Sequence, residues 1–270
     1  MSKIKKNLEF MGKPLEGFLA IPDYKVKALS LSKQVEKLPF KVNFINTADP
    51  VNSVFVEQLI ALNVKAFGEM GVPPWVLANF GTIGAGICGG LIWKGKPVSM
   101  WDFVGITGQS QAVHDWTLLV DPDLENSGLG TITFAFQLHI AGAIAKYFQF
   151  IAQTDNKALN LYLKNIYSLE IKSYGFCHTK PNSMLLVTQI PENAYQAIVQ
   201  GKAFKPNVSQ FFKTETMIKQ GDLDWQKGLV VPANAHQVFL AINEKIVKGE
   251  KFKLAGINTV NKEQHLLIKK

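Results

Sequence analysis

Val120-Asp121-Pro122-Asp123-Leu124-Glu125-Asn126-Ser127-Gly128-Leu129-Gly130-Thr131 decides how this chain is read. The apolar run Trp116 to Val120 stops at a proline-containing turn, a Gly-x-Gly pair follows, and Ile132 to Phe148 then reads as a helix. A strand that feeds a helix through such a turn leaves several backbone N–H groups unpaired and pointing one way. The positive end of the helix dipole stands behind them, and the combination suits phosphate oxygens. Glycine serves it because it accepts positive φ and puts no Cβ between the main chain and an anion. Gly-x-Gly also occurs in plain tight turns. Its place between a strand and a helix gives it weight.

The composition sets bounds on what surrounds this turn. At 270 residues, 47% hydrophobic and 19% charged, the chain can bury a sizeable core and is not a disordered sequence. Its net charge of +8 is carried by 29 lysines and no arginine, so any anion must be held by lysine point charges or backbone amides. The lysines are scattered rather than striped and no nucleic-acid motif is present, so no nucleic-acid partner is read. Cys88 and Cys177 are too few for a disulfide framework and lack metal-site spacing. His139 and His178 have no partners at ligand spacing either, and no metal site is read. No adequate apolar segment follows the basic start Met1 to Lys6, so no signal peptide is read and a cytoplasmic location is expected. Trp75 to Trp93 spans nineteen uncharged residues, close to a membrane span in length. Its five glycines and the following turn Lys94-Gly95-Lys96-Pro97 favour a short helix, then a strand and a hairpin, with no membrane partner.

Along the chain, residues 1–40 lack a strong period and read as an N-terminal arm packed on the surface. Val42 to Ile45 is a short strand, and Asp49-Pro50 supplies a cap and a first-turn proline for a helix. Phe55, Leu59, Leu62 and Ala66 form one face of that helix. Ile87 to Trp93 and Val98 to Ile106 read as paired strands. Next comes strand 113–120, the turn, a helix over about 129–146, strand 148–154 and a helix over about 156–173. That order argues for a mixed sheet with a parallel pair. Cys177 to Thr179 and Met184 to Ile190 look like a closing hairpin. Beyond Pro191 the signals are mainly helical, with Pro232 to Lys248 the clearest.

This arrangement resembles the GNAT superfamily of acyl-CoA-dependent N-acyltransferases over roughly residues 41–190. The family's loop is Arg/Gln-x-x-Gly-x-Gly/Ala after a strand ending in Val-x-Pro. Val120-Asp121-Pro122 and the two glycines of Glu125-Asn126-Ser127-Gly128-Leu129-Gly130 match it, while Glu125 replaces the first Arg or Gln. A carboxylate pointing inward would repel phosphate, so Glu125 should point outward. The second signature, an Asn near a helix start followed by Ala and Leu-Tyr, is matched by Asp155-Asn156-Lys157-Ala158-Leu159-Asn160-Leu161-Tyr162, with Asp155 in the family's Asn place. Tyr174-Gly175-Phe176 arrives late, and an alternative register would move the tyrosine position onto Ile171.

The fold implied is α/β (α+β): a mixed, mostly antiparallel sheet with one splayed parallel strand pair, flanked by helices. It consists of the arm 1–40, a GNAT-like acyl-CoA-binding domain 41–190 and a mainly helical C-terminal extension 191–270. The extension is expected to cover the acceptor side or to make a homodimer contact. The resemblance implies an N-acyltransferase that moves an acetyl or other acyl group from acyl-CoA to a primary amine, without a metal. Leu118, Leu119 and Val120 would offer main-chain groups to the pantetheine arm and the oxyanion. Glu125, Asn126, Ser127, Gly128, Leu129, Gly130 and Thr131 would form the diphosphate loop, with Asp155 and Asn156 also facing the cofactor. Tyr162 would protonate the leaving thiolate; a core aromatic on an amphipathic helix is its ordinary alternative. His114 is the first candidate for the base and Asp115 the second. Strand alternation would put His114, Trp116, Leu118 and Val120 on one face and Val113, Asp115, Thr117 and Leu119 on the other. Trp101 and Trp116 fit either a pocket wall or the core. Two alternatives stay open at this level. A longer acyl chain or an acyl carrier protein could be the donor, which suits the basic surface, or the chain could be a non-catalytic CoA-binding sensor or regulatory protein.

Overall fold

The computed structural model describes residues 8–21, 30–79, 86–106, 109–166, 169–177, 180–201, 212–213 and 228–270. The chain starts with β1 (Glu9–Phe10) and β2 (Lys13–Ala20), then α1 (Leu31–Val35) and β3 (Val42–Phe44). The Asp49 carboxylate accepts from the Val51 N–H at 3.0 Å and caps a 3-10 turn, Pro50–Asn52, from which α2 (Ser53–Phe67) continues. After α3 (Pro74–Asn79) come β4 (Ile87–Trp93), β5 (Lys96–Ile106), β6 (Gln109–Val120), α4 (Leu129–Ala141) and β7 (Tyr147–Gln153). Next are α5 (Leu159–Asn165), β8 (Leu169–Cys177), β9 (Lys180–Gln189) and α6 (Ala194–Val199). The last elements are β10 (Phe212–Lys213), β11 (Leu229–Pro232), α7 (His236–Val247), β12 (Phe252–Val260) and β13 (Glu263–Lys269). Mostly antiparallel strands with flanking helices make a mixed α/β architecture. Among the described residues, no helix is long and apolar enough to cross a membrane.

These elements form two compact units, Met1–Phe148 with Ile190–Gln200, and Gln149–Gln189 with Gly201–Lys270. In the first unit the strand order is β1-β2-β4-β5-β6, antiparallel throughout, with β3 parallel to β2. Phe18, Leu59, Leu62, Val76, Met100 and Leu119 belong to one buried cluster, which joins α2 and α3 to the sheet. Trp101 and Phe103 stack with centroids 5.4 Å apart, and Trp101 meets Phe136 of α4 edge-on. With both faces covered, β4 is a continuous buried run rather than an alternating one. Helix α4 is buried at every position from Thr133 to Ala141, which is why its sequence is apolar nearly all round. The wholly buried Trp101 is therefore a core residue.

The reading of residues 1–40 as a surface arm does not describe residues 13–20. β2 lies between β3 and β4, and Phe18 and Leu19 are fully buried. The short run Pro14-Leu15-Glu16-Gly17-Phe18-Leu19 carries no alternation because it is covered on both sides.

In the second unit β7, which runs across the division at Phe148, begins the order β7-β9-β8-β12-β13-β11-β10. The helix expected over about 156–173 is corrected to α5. Ile166 adopts extended angles (φ −125°, ψ 121°) and β8 follows. Leu169 and Ile171 are buried while Lys172 is exposed and pairs with Glu170 at 2.6 Å, a period-two pattern hidden among helix-compatible residues. Ile171 is thus a strand residue, and α5 carries Tyr162. The mainly helical extension is also corrected. Residues 191–270 contain α6 and α7, but β11, β12 and β13 form an antiparallel sheet. The turn between β12 and β13 is Asn261-Lys262, both at positive φ (49° and 70°), a hairpin geometry without the usual glycine. His178 lies outside the described residues.

Asp102, on β5, is wholly buried, and its carboxylate is in no ion pair among the described residues. Burial first, and the Asp115 charge second, push its carboxyl well above the usual carboxylate range; Thr117, opposite it in the ladder, offsets this only in part. An acid with a raised folded pKa is destabilising as pH climbs above its unfolded value of about 4, because only the unfolded chain then ionises freely. Asp102→Asn should remove that loss. Unfolding free energies from urea melts at about pH 5 and about pH 8 should differ less in the variant, by up to about 1.4 kcal/mol per pH unit. At Gly90 a Cβ would fall inside the Ser99 carbonyl and against the Phe18 ring. Gly90→Ala should therefore cost about 1–3 kcal/mol in the same denaturation measurement.

Candidate functional site

In the first unit, β6 ends at Val120 and the Asp121 carboxylate accepts from the Asp123 N–H at 3.0 Å, capping the 3-10 turn Pro122–Leu124. Asn126 then takes φ 62°, and Gly128, the N-cap of α4, takes φ 90°. The Ser127 hydroxyl donates to Leu124 O at 2.5 Å and braces the bend from within. Nothing lies within 4 Å of where a Gly128 Cβ would stand, so the bend is open on that side. Among the described residues, the N–H groups of Asn126, Ser127, Gly128 and Gly130 have no hydrogen-bond partner. Leu129 is buried beneath them; Glu125, Asn126 and Gly128 are exposed, and Gly130 and Thr131 are half-buried. Chemically this is a row of main-chain donors at the start of a buried helix, facing solvent.

Three carboxylates lie in or beside this bend. Lys65 on α2 pairs with two of them, Nζ to Asp121 Oδ1 at 2.5 Å and to Asp123 Oδ2 at 2.6 Å. Its pKa is raised, first by the Asp121 hydrogen bond and then by that from Asp123. Glu125 is exposed, so its charge is screened by water. No sequence spacing points to Lys65, because it lies on a separate helix 56 residues before Asp121.

The alternation expected along β6 is broken, and this is a correction. Asp102 pairs with Thr117, but its neighbour Phe103 pairs with Asp115, so Trp116 is an extra residue on β6. Cross-strand partners share a face. Thr117 and Leu119 therefore lie with Asp102 and Met100, whereas Asp115 lies with Phe103 on the side of α4. Leu118 and Val120, opposite Trp101 and Ser99, share that second side. The Asp115 carboxylate accepts from Gln137 Nε2 of α4 at 2.7 Å in the buried interior. His114 is half-buried opposite Val104, and Trp116 is 47% exposed at the bulge. His139 is committed elsewhere, its Nε2 within 3.0 Å of Gln34 O, and burial lowers its pKa.

In the second unit, Asn156 makes a local cap, its Oδ1 accepting from the Ala158 N–H at 2.8 Å just before α5. Asp155 is exposed beside it. Tyr162 is buried, with its ring stacked on Phe150 at 4.2 Å and 18°.

No family model and no curated protein matches this chain. Among solved structures, it is similar to an acetyltransferase of the GNAT family from Streptococcus pneumoniae, at 17% identity over 53% of this chain and 96% of that one, with a TM-score of 0.41. It is similar to an aminoglycoside 6'-acetyltransferase type Ii at 14% identity, over 53% and 95% of the two chains, with a TM-score of 0.41. A spermidine N-acetyltransferase from Vibrio cholerae, solved with CoA and spermine, matches at 10% identity over 53% and 92%, with a TM-score of 0.40. These acetyltransferases align with about half of this chain.

Proposed function

We propose that this chain is an N-acyltransferase that moves an acetyl or other acyl group from acyl-CoA to a primary amine by direct attack on the thioester. The observation that carries this reading is the set of solvent-facing N–H groups between Asn126 and Gly130, at a bend that leads into α4. Such donors, aligned with the helix dipole, hold phosphate oxygens without an arginine, and this chain has none. Lys65 supports it by offsetting part of the Asp121 and Asp123 charge, and exposed Glu125 keeps its charge in water. Glu125 through Thr131 would hold the donor's diphosphate, and the main chain of Leu118 to Val120 its pantetheine arm.

The chemistry assigned to the side chains follows from the reaction. An alkylammonium has a pKa of about 10, so the acceptor must lose a proton before it attacks. We assign that step to His114, directly or through water, in preference to Asp115, whose carboxylate is engaged by Gln137. A main-chain N–H near Leu119 or Val120 would stabilise the oxyanion, worth roughly 3–4 kcal/mol. The Tyr162 hydroxyl would donate its proton to the departing thiolate sulfur.

Two substitutions test the reading. Gly128→Asp places a side chain and a negative charge where the diphosphate would sit, and should weaken CoA binding about tenfold or more in calorimetry. Tyr162→Phe should lower kcat about a hundredfold while CoA affinity stays nearly unchanged. Undiminished turnover in the phenylalanine variant would remove Tyr162 from the acid role, and CoA binding unaltered by the aspartate would remove the loop from the donor site.

A further inference from the structure

Between Asp115 and Thr117, β6 carries one residue more than its partner β5, and a bulge of this kind bends a strand and increases its twist. The bend stands directly before Leu118, Leu119 and Val120. Its place is selected by the pairing on either side. Thr117 and Leu119 lie opposite Asp102 and Met100, and Met100 and Leu119 belong to the buried cluster that joins the sheet to α2 and α3. Asp115 lies opposite Phe103, on the side of α4. Without the extra residue one of these two arrangements would be lost. A regular ladder continued back from Thr117 would set Asp115 opposite Val104, on the same face as the buried Asp102. A regular ladder continued on from Asp115 would set Leu118 opposite Met100. The main-chain groups of Leu118 to Val120 would then all point the other way, because one step of register turns a strand over.

Gln137 discriminates between these registers. It lies on α4, wholly buried, and its Nε2 donates to Asp115 Oδ1 at 2.7 Å. That bond exists only while Asp115 stays on the α4 side, which requires the bulge. Packing alone would not place an amide here. Phe134, Ala135, Phe136, Leu138 and Ile140 around it are apolar and wholly buried. Gln137 Oε1 has no hydrogen-bond partner among the described residues, a cost that an apolar side chain of the same length would not carry.

We propose that Gln137 is a positioning residue: through Asp115 it pins the bulge at Trp116 and so aims the main chain of Leu118 to Val120 at the pantetheine arm of the donor. The inference rests on the acyl-donor reading above, in which a different segment, Glu125 to Thr131, holds the diphosphate. The two segments can therefore be probed apart. The test is calorimetry on the wild-type chain and on Gln137→Met, with CoA and with 3'-phosphoadenosine 5'-diphosphate, which is CoA without its pantetheine arm. Methionine keeps the length and flexibility of the side chain and lacks the donor. Gln137→Met should bind CoA about tenfold more weakly and the nucleotide as tightly as the wild type does. A merely structural role would weaken both ligands together. If Gln137→Met does not fold, Gln137→Asn, which keeps an amide but withdraws it by one methylene, should give the same split. Equal weakening of the two ligands, or unaltered CoA affinity in the folded variant, would overturn the proposal. A wild-type chain that binds neither ligand would instead remove the acyl-donor reading, and the role of Gln137 with it.

Discussion

Strand β6 belongs to a sheet whose faces are both packed, and α4, which follows it, is buried along most of its length. The chain between them has to reverse direction without leaving main-chain groups orphaned in the interior, since a buried N–H without a partner is costly. It does so by bending outward. Left-handed angles at Asn126 and Gly128 keep the unpaired N–H groups on the solvent side, while Leu129 returns to the core. The row of unpaired main-chain donors is thus a by-product of packing a buried helix against a buried strand. Lys65, on a separate helix, then reduces the negative charge of the turn by pairing with its two aspartates.

The bulge at Trp116 matters for the same reason. By inserting one residue it sends Asp115 toward α4, where Gln137 meets its carboxylate, and leaves Thr117 with Asp102 on the other side. Two carboxylates close enough to influence each other are therefore carried inside one sheet. One has a hydrogen-bonding partner on α4, and the other lies in the interior with its burial offset only in part by Thr117. Such an arrangement weakens the fold as pH rises, and the large apolar rings around it must compensate.

The second unit shows how local patterns mislead when strands are short and irregular. Leu169, Ile171 and Tyr174 are buried, but a register shift between Ile171 and Ser173 breaks the period, so the segment passes for helix. The Asn261-Lys262 turn lacks the glycine that announces a hairpin, and the strands on either side of it were read as helical sequence. Thr154 gives no local sign of its hydrogen bonds with Ala233 and Gln264, because these partners lie 79 and 110 residues away.

Much of the geometry around this bend was legible along the chain. The turn from Val120 to Thr131, the strand before it, the helix after it and the Asp49 cap are all local: proline, glycine and capping carboxylates act on neighbours within a few residues, so their spacing is enough. The position of Tyr162 on a helix was equally local. The tertiary structure alone decided which face Asp115 takes, that Lys65 pairs with the aspartates of the turn, that residues 13–20 lie inside the sheet and that Thr154 ties remote segments together. Each of these depends on a partner a dozen or more residues away, and a chain's local preferences carry no information about which distant group will be brought opposite. Hydrogen bonds and ion pairs act over a few ångströms in space, whatever their separation in sequence.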